Sequence, residues 1–227
     1  LYAVKNKSPN GVLYSAENPD PVRRSISRID QRRKAEHSEL EERIEKSMQA
    51  GVEAAETISA EYSGKTEEEI RDGPASEQTV STVGRFVDHI NNVAEYIMRN
   101  QRSLKPIIED VVSRGNQVYE RLVKNIRDEK LRDRAKKILG ECYEKMIYTV
   151  AILEYMQQNN PELGISNLDI KKAAVASYLS DIGLIPEVTA LPYVKAMKHH
   201  LYSEAILRKC GLNEIADLVA RSHCFKD

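Results

Sequence analysis

From Val80 onward the apolar residues Val80, Val83, Val87, Ile90, Ala94 and Ile97 recur at alternating spacings of three and four, the repeat that brings side chains to one face of an α-helix. The pattern predicts a helix over 76–100. Phe86 and Val93 widen its stripe to that of a helix buried in a bundle rather than a free coiled coil. Upstream, 25–62 holds no proline and a dense mixture of Glu, Arg, Lys and Ala, which predicts one long helix. Its apolar positions Leu40, Ile44, Met48, Val52 and Ala55 form a narrow stripe. Such a stripe most often marks a solvated helix lying on a neighbour, and less often a dimer seam. Between the two helices, 63–75 carries Gly64, Gly73 and Pro74 and reads as a linker.

The first 25 residues differ: β-like runs at 1–5 and 12–14 flank the turn sequence Ser8-Pro9-Asn10-Gly11, which predicts a short extended arm or the remnant of an upstream domain. Further on, Pro106 stands where a first-turn proline would, ahead of Ile107, Ile108, Val111 and Val112, and Gly115 ends that helix. A next helix over 116–139 has Val118, Leu122, Ile126 and Leu131 inward and is closed by Gly140. Four more follow at 141–158, 168–181, 191–208 and 212–222, separated by Asn159-Asn160-Pro161, Ile185-Pro186 and Cys210-Gly211. The fold class is therefore all-α, a helical bundle preceded by a long helix and a short arm, with divisions at 1–25, 26–73 and 74–227.

Composition narrows the function classes. Of 227 residues 41% are apolar and 30% charged, which suits a soluble globular chain, and no apolar run is long enough to span a membrane. With 34 basic and 35 acidic side chains the net charge is −1, so nothing global draws the surface to nucleic acid or anionic lipid. The basic excess over 99–145 mixes both signs and reads as a solvated surface. Cys142, Cys210 and Cys224 form neither an even disulfide set nor a C-x-x-C pair, so they are expected to be reduced thiols of a cytoplasmic protein, and structural zinc is not expected. The chain starts at Leu1 without signal-peptide character and is expected to continue a longer one. No G-x-G-x-x-G, Walker loop or G-x-S-x-G occurs, which counts against the nucleotide-binding α/β folds and α/β hydrolases.

The informative stretch is 174–187, an apolar helix ending in Ser180-Asp181-Ile182-Gly183-Leu184-Ile185-Pro186. Alone, Asp181 reads as a helix-end residue and Gly183 as a C-cap. It is followed by Lys198-His199-His200 opening a helix that runs to Ile206-Leu207 and Gly211-Leu212, and then by a helix ending in Ser222-His223. This succession, over 141–227, resembles the HD-GYP branch of the HD phosphohydrolase superfamily. In that family the first segment reads His-Asp-Ile-Gly-Lys before Ile-Pro, the second opens at Lys-x-His, and the third ends in a His-His pair ahead of an Asp-Gly turn. Ser180 stands where histidine belongs and Leu184 where lysine belongs. Ser222 replaces the first histidine of the pair, Asp227 falls on the aspartate of the turn, and the family's opening histidine falls on Met146.

The resemblance implies a pocket in which the family clamps a phosphodiester with two or more metal ions. Asp181, His199 and His223 are the residual ligand positions, and Met146, Ser180 and Ser222 are degenerate ones. Thioether and hydroxyl do not replace imidazole on a hard or borderline divalent ion, so a two-metal site is not expected. Three ligands suffice for at most one zinc with an open position. No other cofactor is expected. His200, about 100° around the helix from His199, reads as outside the pocket, and His37 and His89 as surface residues. Tyr143, Tyr148, Tyr178 and Tyr202 read as core with hydroxyls at the rim rather than a cavity lining. The expected function is non-catalytic: a signalling or scaffolding module working through a protein partner or self-association. Two rivals stand beside it. One is a phosphodiesterase with a reduced metal site, acting on cyclic di-GMP or another phosphoester. The other is a metal-free cyclic dinucleotide receptor.

Overall fold

A computed structural model describes residues 20–99, 104–188 and 192–222, and its elements among them are all helical. They are α1 (Asp20–Tyr62), α2 (Glu67–Asp72), α3 (Glu77–Arg99), α4 (Leu104–Val123), α5 (Glu129–Lys136), α6 (Cys142–Asn159), α7 (Asn167–Leu179), α8 (Pro192–Lys209) and α9 (Asn213–Ser222). No described helix is long and apolar enough to cross a membrane. The chain divides into two units, Leu1–Glu41 and Glu42–Asp227. The described part of the first is the leading portion of α1, which starts at Asp20 rather than near 25. Pro21 falls in the first turn, where its missing N–H leaves no helix bond unmade. The expected arm over 1–19 lies outside the described residues.

The second unit begins inside α1. The reason is burial: Ile44, Met48, Val52, Ala55, Ile58 and Tyr62 are all core residues of this unit. A Cβ on Gly51 would lie 2.5 Å from Leu139 Cδ2 and 3.0 Å from the Phe86 ring, so α1 packs closely on α3 and on the segment ahead of α6. From residue 42 onward the stripe expected as a neighbour contact or dimer seam is a contact within the chain. On α3 the fully buried apolar positions are Val83, Phe86, Ile90, Val93, Ala94 and Ile97, while Val80 is exposed. The face is thus centred on Phe86 and Val93, which the alternating stripe had put at its edge.

The expected linker contains α2, nucleated by a capping box in which Thr66 and Glu69 bond reciprocally to each other's backbone N–H. Lys198 of α8 pairs with Glu67 at 2.8 Å and Lys209 donates to the Ile70 carbonyl, so the short helix is docked by its polar groups. Two glycines read as helix breaks are passed through. At Gly140 the chain takes a wide π turn, Lys137–Glu141, from α5 straight into α6. At Gly115 α4 continues, and the reason is space: a Cβ there would lie 2.4 Å from Tyr143 Cε1, a fully buried ring. The break falls instead after Val123, and Asp128 then caps α5 by accepting from Leu131 N at 3.1 Å. Gly115→Ala is expected to cost about 2 kcal/mol by overpacking, read as a lowered denaturant midpoint with unchanged slope. A midpoint equal to wild type would show that the Tyr143 ring can yield.

Two polar contacts set α6 against α7: Thr149 Oγ1 and Ser177 Oγ lie 2.8 Å apart, and Lys145 Nζ reaches Asp181, just past the end of α7. The helices therefore run antiparallel. Tyr143 and Tyr178 face each other between them with ring centroids 5.6 Å apart, and Phe86 meets Tyr178 edge-on at 5.1 Å. These rings are core, as is Tyr202, whereas Tyr148 is half exposed.

Candidate functional site

Asp181 sits where α7 gives way to a single 3-10 turn, Ile182–Leu184, and is buried. Its two oxygens are approached from three elements. His199 on α8 donates from Nε2 to Oδ1 at 3.1 Å, and Lys145 on α6 donates from Nζ to Oδ2 at 2.9 Å. The Cys142 thiol, one turn before Lys145, donates to Oδ2 at 3.4 Å. The Ser180 hydroxyl lies 3.5 Å from Oδ1 and donates to the Ser177 carbonyl at 3.1 Å.

The meeting of α7 and α8 depends on Gly183. A Cβ there would stand 2.1 Å from the His199 carbonyl oxygen and 2.6 Å from Ser203 N, so the chain after Asp181 rests directly on the backbone of α8. Ser203 stitches the contact: its Oγ accepts from Gly183 N at 2.9 Å and donates to the Ser180 carbonyl at 2.7 Å. Arg134 holds the far side of the loop, donating to the Ile185 carbonyl and pairing with Glu187, both at 2.8 Å. Gly183 is thus a close-approach glycine, not a helix cap.

Burial alone would raise the Asp181 carboxyl, but the hydrogen bonds from His199 and Lys145, with the Lys145 charge, outweigh it and hold the group well below the usual carboxylate range. For Lys145 the balance is the mirror image: burial favours the neutral amine, and the bond to Asp181 overcomes it and raises the ammonium. Burial, with the Asp181 charge beside it, pushes the Cys142 thiol up to about 12. The thiol is therefore a protonated hydrogen-bond donor, not a nucleophile.

Of the six ligand positions of the HD-GYP pattern, Asp181, His199 and Ser180 are together. Met146 is fully buried on α6, and the same helix reaches the carboxylate through Cys142 and Lys145. Ser222 ends α9, its hydroxyl donating to the Val219 carbonyl at 2.7 Å. His223 lies outside the described residues, as does Asp227. His200 is half-buried beside His199, ring centroids 6.0 Å apart. An open depression of about 360 Å³ runs along the outer side of α7, lined by Lys145 from α6, Ala173, Ala176, Ser177 and Ser180 from α7, and Leu218, Val219 and Ser222 from α9. Ser180 and Ser222 thus share one recess, with Lys145 at its edge.

Among the described positions of the pattern, the Ser180 and Ser222 hydroxyls donate to backbone carbonyls, Met146 is a buried thioether, and Asp181 accepts a hydrogen bond at each oxygen. Among the described residues no group of three His, Cys, Asp or Glu side chains could hold an ion. The cation beside Asp181 is an ammonium of the chain itself. Lys145, Cys142 and Ser203 escaped the sequence reading. Lys145 had no signal of its own, since a lysine on a mixed-sign helix looks like any other surface residue; only the antiparallel register of α6 and α7 selects it. No protein-family model matches the chain, and none of the curated proteins or solved structures compared with it does either.

Proposed function

We propose that the chain is a degenerate HD-GYP-like domain with a non-catalytic role, a signalling or scaffolding module that acts through protein contacts. The observation that carries this reading is the state of Asp181. A carboxylate that serves a phosphodiesterase must offer an oxygen to a metal ion, which in turn ionises the attacking water. Here one oxygen takes the His199 N–H and the other the Lys145 ammonium. Two further donors of the pattern are hydroxyls turned to the backbone, Ser180 and Ser222. What is left is a rigid helical junction with an apolar recess at its surface, suited to contact rather than turnover.

The test is hydrolysis of cyclic di-GMP and of a generic phosphodiester by purified protein with manganese, iron or zinc added. No turnover above buffer is expected. Turnover that Asp181→Ala abolishes would overturn the reading and restore the phosphodiesterase, and stoichiometric binding of cyclic di-GMP without metal would establish the receptor in its place.

A further inference from the structure

The outer side of α6 carries a row of exposed apolar side chains. Tyr148, Ile152 and Tyr155, at spacings of four and three, are 50%, 58% and 59% exposed and form one ridge. From Met146 to Asn160 the only charged residue is Glu154, and it is fully buried. The ridge is therefore uncharged over three turns. Beside it lies a valley. The pairs Thr149–Ser177 and Lys145–Asp181 keep the same antiparallel register, which one turn further on sets Leu153 level with Ala173. The small residues Ala173, Ala176, Ser177 and Ser180 floor the depression, α6 bounds it on one side, and Leu218, 39% exposed, stands on α9 at the other.

We propose that this face is the contact surface for a second copy of the chain, the α6 ridge of each protomer lying in the α7 valley of the other. The inference rests on the proposed non-catalytic role and names its partner. A two-fold contact needs one patch that is complementary to itself, and here a large-residue ridge and a small-residue valley lie side by side. Charge agrees. In an antiparallel arrangement centred on the ridge, the exposed Lys145 of each copy meets the carboxyl end of the other copy's α6, where the helix dipole is negative and Glu162 follows. No carboxylate lines the valley. Burying the ridge, Leu218 and the valley floor removes roughly 500 Å² from each copy, about 1,000 Å² in all, the lower bound of a specific interface, so a dimer of micromolar stability is expected.

The experiment is size-exclusion chromatography with light scattering on the whole chain, over about 1 to 100 µM. Wild type is expected to move from the 25.8 kDa monomer to twice that mass as concentration rises. Ile152→Glu should hold it monomeric with an unchanged far-ultraviolet spectrum and melting temperature, because the side chain is exposed, and Ile152→Leu should retain the dimer. A wild-type chain monomeric throughout overturns the proposal. So does a dimer that survives Ile152→Glu, since another surface then makes it. Both outcomes leave the non-catalytic reading standing, and turnover dependent on Asp181 would overturn that reading whatever the mass.

Discussion

Gly183→Ala is expected to cost more than about 3 kcal/mol, a large share of the 5–15 kcal/mol that holds an ordinary domain together. The added methyl has nowhere to go. It would sit 2.1 Å from the His199 carbonyl oxygen and 2.6 Å from Ser203 N, both backbone atoms of α8. Side chains can swing aside; a helix backbone must be pushed back as a unit. That displacement also breaks the Ser203 stitch to Gly183 N and the Ser180 carbonyl, and draws His199 from Asp181. The expected result is a chain with most of its helical signal, a much lower denaturant midpoint, and loss of the Asp181–His199 contact. Gly51→Ala is the comparison. There the nearest atoms are the ends of the Leu139 and Phe86 side chains, which can turn, and the loss should be smaller. Equal losses for the two would remove the argument from backbone contact.

The two glycines show what was legible in the sequence and what was not. Helix type could be read where apolar spacing carried over a dozen residues, as in α3, and where breakers delimit the segment, as in α6 and α8. The end of α6 could be read where Asn160 and Pro161 mark it, whereas the capping box of Ser166 and Asp169 that starts α7 went unread. Glycines misled, because a glycine that ends a helix and one that lets two elements touch look alike in one dimension. Gly115 and Gly183 are of the second kind, and their reason is a partner 28 and 16 residues away, Tyr143 and His199. At the site, Asp181 and His199 were legible because the order of motifs placed them. Lys145 and Cys142 were not, since their role comes from the register between two helices.

Asp181→Asn is expected to lower stability by about 2 kcal/mol near neutral pH, and by less as the solution is acidified. The amide keeps the volume and one acceptor but loses the charge to which His199 and Lys145 donate. Breaking a fully buried ion pair costs about 3–5 kcal/mol. Lys145 is half exposed and can turn to water, so its share is that of a partly screened pair and the total is reduced accordingly. The pH dependence follows from the direction of the shift. The folded carboxyl lies below its ordinary value of 3.8. On acidification the unfolded chain therefore takes up the proton first, and stability falls as pH falls. The contribution is whole above about pH 5 and begins to fade as pH drops through 4. It is lost altogether only below the folded value. Glu61, Glu95 and Asp169 are also held low, by hydrogen bonds or a lysine, and add their own acid loss to wild type and variant alike. The informative quantity is thus the difference between the two chains in urea denaturation, which should narrow from pH 5 towards pH 3. Lys145→Met should reproduce part of the loss, and the double variant should lose less than the two single ones together, by about 1 kcal/mol of coupling. A difference that stays flat to pH 3 would mean that Asp181 titrates in the folded chain as it does in the unfolded one, and that neither His199 nor Lys145 holds its charge.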